Sequence, residues 1–93
     1  MGRFLTVTRK KQLMGGGAPF YIYLDGKRQG EIYSGDSIDI PISNTKHLLQ
    51  IQAVFGGGEN YWSNEYTIYA NDKSVSVHVY SKSRLTTVDI YIM

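Results

Sequence analysis

YIYLDGKRQGEIY, residues 21 to 33, decides how this chain is read. Two runs in which apolar and polar residues alternate are joined by Asp25-Gly26-Lys27-Arg28-Gln29-Gly30. Alternation at period two sends successive side chains to opposite faces of a strand. Asp-Gly between two such runs is a hairpin signal, because both residues tolerate the positive φ that a tight connection needs. Gly30 marks a bulge or the point where the strand restarts. The centre of the stretch therefore reads as a turn, with its carboxylate and cations serving the connection.

The same period extends outward through nearly the whole chain, and no window carries the i, i+3, i+4, i+7 spacing of an amphipathic helix. Strands are expected at 3 to 9, 20 to 25, 29 to 33, 36 to 42, 47 to 55, 62 to 69, 74 to 80 and 85 to 92. Short strands with turn signals between them predict an all-β fold, a single antiparallel Ig-like β-sandwich of about seven or eight strands with little or no helix. Residues 1 to 93 form one domain in this reading.

Side-chain parity then predicts the core. Phe20, Ile22 and Leu24 share a face, as do Ile38, Ile40 and Ile42, and Leu49, Ile51, Ala53 and Phe55. Tyr66 with Ile68, then Val75, Val77 and Val79, then Val88, Ile90 and Ile92 complete the inward set. Asp39, Gln50, Gln52, Ser74, Ser76 and Asp89 fall on the water side. Pro41 lacks an amide hydrogen, which places its strand at a sheet edge, where Asp36 and Asp39 discourage pairing with another molecule. The last strand is β-branched and nearly uncharged, which favours an interior position.

Composition narrows the function classes. A hydrophobic content of 42% with eight tyrosines belongs to a folded domain and not to a disordered tail. The absence of cysteine excludes a disulfide framework and a thiolate zinc site. No stretch approaches the roughly 18 apolar residues of a membrane span, and the start lacks a signal-peptide core. These features favour a cytoplasmic setting, or an envelope-associated one if the domain belongs to a larger chain. The formal net charge is only +2, too small to argue for nucleic acid by itself.

The stretch from Phe20 to Gln52 resembles the bacterial PEGA-type domain. The elements that carry the resemblance are Tyr23-Leu24-Asp25-Gly26, Gly30, Ser37-Ile38-Asp39-Ile40 and Thr45-Lys46-His47. The family usually has glycine at the position of Thr45, and its namesake tetrapeptide is absent here. The resemblance implies a small Ig-like sandwich used as a binding or spacer module, without catalytic residues.

Candidate sites follow from what remains. His47 and His78 have no Ser, Cys or carboxylate at a spacing that marks a triad or an acid/base pair, so no catalytic residue, metal ligand or cofactor is expected. Gly15-Gly16-Gly17 lacks the Lys-Ser/Thr and the helix of a phosphate cradle. If the eight strands alternate in direction, the connections after the first, third, fifth and seventh gather at one end. That end would bring together Arg9, Lys10, Lys11, Tyr61, Trp62, Lys82 and Arg84 as a ligand-binding set. Tyr21, Tyr23, Tyr33, Tyr69, Tyr80 and Tyr91 all fall opposite the inferred core and form a candidate self-association face. The predicted function is a non-enzymatic protein-interaction module, with a second copy of the chain as a possible partner. Carbohydrate binding by exposed aromatics is the alternative, and nucleic-acid binding at the basic end comes third.

Overall fold

The computed structural model describes residues 2–11, 19–55, 59–83 and 88–92, with side chains except at positions 55, 59, 82, 83 and 88–91. Among the described residues there are nine strands and no helix: β1 (Arg3–Arg9), β2 (Phe20–Leu24), β3 (Lys27–Ile32), β4 (Ser37–Ile42), β5 (His47–Phe55), β6 (Glu59–Trp62), β7 (Tyr66–Ile68), β8 (Val75–Ser83) and β9 (Val88–Ile92). No helix among them is therefore long and apolar enough to cross a membrane. The strands form two sheets, one ordered β4-β1-β8-β9 and one ordered β3-β2-β5-β6 with β7 also paired to β5. The fold is all-β and of the small-sandwich kind.

Period two works as the sequence implies at most of the predicted inward positions. Ile38, Tyr66 and Val75 are half-buried against the core, and the side chains of Phe55, Val88 and Ile90 lie outside the described residues. Phe20, Ile22, Leu24, Leu49, Ile51, Ala53, Ile68, Val77 and Val79 are buried between the sheets, joined by Leu5, Val7, Ile32, Ile40, Ile42 and Ile92. At roughly 25 cal/mol per Å² of apolar surface removed from water, this alternation is what drives the two sheets together. Pro41 lies on β4, at the end of its sheet.

Three features differ from the expectation. All pairings are antiparallel except β1 with β8, which run parallel from Leu5↔Val75 to Arg9↔Val79. The expected strand at 62 to 69 is two strands, because Ser63 leaves the ladder. Its amide donates to Ile51 O at 2.8 Å and its Oγ accepts from Ile51 N at 2.9 Å, so a hydroxyl replaces a backbone carbonyl at the break. The last strand closes one end of its sheet order instead of lying inside it. Its Ile92 amide is met across that side by Asn64 Oδ1 at 3.0 Å, which removes an open donor without a further strand.

The β2–β3 connection has positive φ at both Asp25 (53°) and Gly26 (81°), as the two-residue hairpin requires. Its ladder shifts register between Ile22↔Gly30 and Tyr23↔Arg28, which places the bulge at Gln29-Gly30. A side chain at Gly30 would meet Ile38 Cδ1 at 3.1 Å, so the glycine also lets β3 approach β4.

The registers orient every strand. β1, β3, β5 and β8 all finish at one end, where Arg9 N donates to Asp36 O at 2.8 Å and Lys10 N to Val79 O at 3.0 Å. The opposite end carries the Asp25-Gly26 turn and the β4–β5 and β7–β8 connections. Arg3 and Arg9, on the inward side of β1 with Leu5 and Val7, are 2% and 1% exposed and bracket the core at its two ends.

Candidate functional site: the outer face of the five-stranded sheet

The register of β3, β2, β5 and β6 lays one straight row of outward side chains across four strands: Glu31 opposite Tyr21, Tyr21 opposite Gln52, and Gln52 opposite Trp62. The neighbouring row carries Arg28, Tyr23 and Gln50. Parity decides which aromatic of β6 points out. Ala53↔Tyr61 turns Tyr61 inward, where it packs against the core, and Gln52↔Trp62 turns Trp62 outward, where it is 48% exposed.

These side chains are tied to one another. Arg28 Nη2 donates to the Tyr23 hydroxyl at 3.2 Å, that hydroxyl donates to Gln52 Oε1 at 3.1 Å, and Gln52 Nε2 donates to Asn60 Oδ1 at 3.3 Å. One chain of donors thus spans β3, β2, β5 and β6. The Arg28 guanidinium also lies over the Tyr21 ring at 4.2 Å, and the Tyr23 and Trp62 rings sit 5.0 Å apart at 60°. The Arg28 guanidinium is held above its ordinary pKa, first by its bond to the Tyr23 hydroxyl, then by the electrostatic effects of Tyr23 and Tyr21, and least by the Glu31 carboxylate. Among the described residues no cavity opens on the surface, and this face is a platform that presents rings, amides and the opposite charges of Arg28 and Glu31.

Residues expected at the basic loop end are divided by the fold. Lys10 and Lys11 are exposed there, the Lys11 stem running beside Gly35. Arg9 is not an accessible cation: its guanidinium lies 3.6 Å over the Phe20 ring and donates to Ile32 O at 3.2 Å. Burial lowers its pKa, and Asp36 acts in the opposite sense. Tyr61 faces the core, and Trp62 belongs to the platform. The side chain of Lys82, and Arg84 altogether, lie outside the described residues.

The tyrosine set does not form one face. Tyr21 and Tyr23 join the platform, Tyr80 lies on the other sheet opposite Tyr91 in register, and the side chain of Tyr91 is outside the described positions. Tyr33 and Tyr69 are exposed at opposite ends, just past β3 and β7. Arg28, Gln52 and Asn60 escaped the sequence reading as site residues. The signal that finds them is their parity with Tyr21 and Tyr23 once strand neighbours are known.

The turn end carries a second polar cluster. Arg3 donates through Nε to Ser43 O at 3.0 Å, through Nη2 to Thr45 O and Tyr69 O at 2.9 Å each, and through Nη1 to Asn71 Oδ1 at 3.1 Å and Lys73 O at 3.4 Å. Asp25 accepts from Leu48 N at 2.8 Å and lies 2.6 Å from His47 Nδ1. Its carboxyl is held below the usual carboxylate range by the His47 and Leu48 hydrogen bonds, in that order. Among the described residues no group of three or more potential metal ligands occurs.

Comparison with protein-family models, with curated proteins and with solved structures finds no match to this chain.

Proposed function

We propose that the protein is a non-enzymatic interaction module that associates with a second copy of itself through the outer face of its five-stranded sheet. The observation that carries this reading is the platform in which Trp62, nearly half exposed, stands against Tyr23 within a side-chain network spanning four strands. Trp, Tyr and Arg are the residues that dominate binding energy at protein interfaces. A two-fold interface must be complementary to itself, and Arg28 and Glu31 stand on the same side of β3, so each can face its opposite on a second copy. An Ig-like classification and the PEGA-type resemblance of residues 20 to 52 agree with a binding or spacer module.

Sedimentation equilibrium tests the reading. The unaltered chain dimerises reversibly, Arg28→Glu and Glu31→Arg each weaken the dimer, and the two changes together restore it. A second reading, carbohydrate binding, is favoured by the Gln52–Asn60 amide pair beside the rings, since amides bond sugar hydroxyls while rings stack on sugar C–H faces. Retardation of a monomeric chain in gels containing soluble polysaccharide would select that reading over self-association.

A further inference from the structure

Asp25, His47 and Ser43 stand in line at the turn end, apart from the platform. Asp25 Oδ2 is 2.6 Å from His47 Nδ1, and His47 Nε2 is 3.0 Å from Ser43 Oγ. In the tautomer whose proton lies on Nδ1 toward the Asp25 carboxylate, Nε2 is the acceptor that faces the Ser43 hydroxyl, with Ser43 O farther off at 3.3 Å. Ser43 then donates to Nε2, and Thr45 Oγ1, 2.6 Å away, donates to Ser43 Oγ. The frame is held from three sides: Leu48 N to Asp25 Oδ1 and Asp25 N to Leu48 O, both at 2.8 Å, and Arg3 Nε to Ser43 O at 3.0 Å. The His47 side chain is only 11% exposed, whereas Ser43 is open to solvent. A sheltered base, oriented by a carboxylate and bonded to an accessible hydroxyl, is the arrangement that activates a serine.

We propose that Ser43 is a site of covalent modification that accepts an acyl group from a small activated ester, with His47 as base and Asp25 as positioning residue. Ser43 Oγ bonds to the ester carbonyl carbon while its proton passes to His47 Nε2. The bond from that carbon to the leaving oxygen then breaks, the proton on Nε2 goes to the departing alcohol or phenol, and Ser43 is left as the acyl ester. The openness of the turn restricts the donor to a small molecule with a good leaving group.

The test is treatment of the full chain with p-nitrophenyl acetate, read by intact mass and peptide mapping. One acetyl group is expected on Ser43, none at that peptide in Ser43→Ala, and a rate lower by about a hundredfold in His47→Gln, the scale of a lost general base. Acetylation confined to lysines and the amino terminus overturns the proposal, as does an unchanged Ser43 rate in a His47→Gln chain that melts like the original. If His47→Gln unfolds, the pH profile of the unaltered chain decides. A Ser43 rate that falls on acidification supports the proposal, and a flat profile overturns it. Neither outcome bears on the platform.

Discussion

The Arg3 end of the sandwich and the Trp62 face are both rich in polar contacts, but the contacts run in opposite directions. At the Arg3 end, side chains bond mainly to backbone: the guanidinium reaches carbonyls of Ser43, Thr45, Tyr69 and Lys73, and Asp25 takes the Leu48 amide. Carbonyls in turns have no strand partner, so these bonds decide whether the turns close at all. On the Trp62 face, side chains bond to side chains above a ladder that is already complete. Taking such a group away leaves the strands paired. The first region holds the fold, and the second is available to a partner.

That contrast fixes the order of expected effects on stability. Arg3→Ala removes a buried cation that joins the β4–β5 and β7–β8 connections. Hydrogen bonds to charged groups contribute about 1.5–3 kcal/mol each and do not add fully. A loss of about 3 kcal/mol, lowering the melting temperature by roughly 12–24 °C for a domain of this size, is expected in thermal unfolding by circular dichroism. Arg3→Lys should recover little, because a point charge cannot serve the spread of acceptors that the planar fork reaches.

Gly26→Val comes next. A Cβ at Gly26 meets nothing within 4 Å, so the penalty is the left-handed backbone at φ +81° alone. About 1–2 kcal/mol of destabilisation is expected from urea titration, and a neutral result would mean that the turn can flip without consequence to the Arg3 end.

Asp25→Asn is smaller at neutral pH, about 1 kcal/mol or less, and it has a pH signature. The folded carboxyl is held below its ordinary value of 3.8, so its contribution is fully present above that value and is lost as pH falls through the lower, folded one. The stability difference between the unaltered and Asp25→Asn chains should therefore shrink on acidification. A difference that grows toward acid would contradict the hydrogen-bonding role of His47 and Leu48.

Much of the scaffold was legible because its determinants are local. The Asp25-Gly26 hairpin, the bulge at Gly30 and the strand at 47 to 55 follow from period two and turn chemistry within a few residues. What escaped was non-local, or depended on reading cations as solvent-facing. Arg9 shares parity with Leu5 and Val7, so alternation alone places it inward, and only its chemistry suggested otherwise. His47 meets Asp25 because β2 and β5 pair up to Leu24↔Leu49, a register that 22 residues of separation conceal. Tyr21, Tyr23 and Tyr80 alternate with buried neighbours as their parity requires, but which sheet each strand joins is not written in its own sequence, and so Tyr80 parted from Tyr21 and Tyr23. The platform itself emerges only when β6 is set beside β5 and Trp62 falls opposite Gln52.

On the Trp62 face the expected stability effect is the smallest of all, within about 0.5 kcal/mol for an exposed side chain. It is there that association should be lost. Sedimentation equilibrium of the unaltered and Trp62→Ser chains across the micromolar range, with their melting temperatures alongside, tests the division most directly. The account predicts a reversible dimer for the first, a monomer for the second, and nearly equal melting temperatures. Two chains with the same association state at every concentration, or a Trp62→Ser chain that loses its dimer only by unfolding, would contradict it.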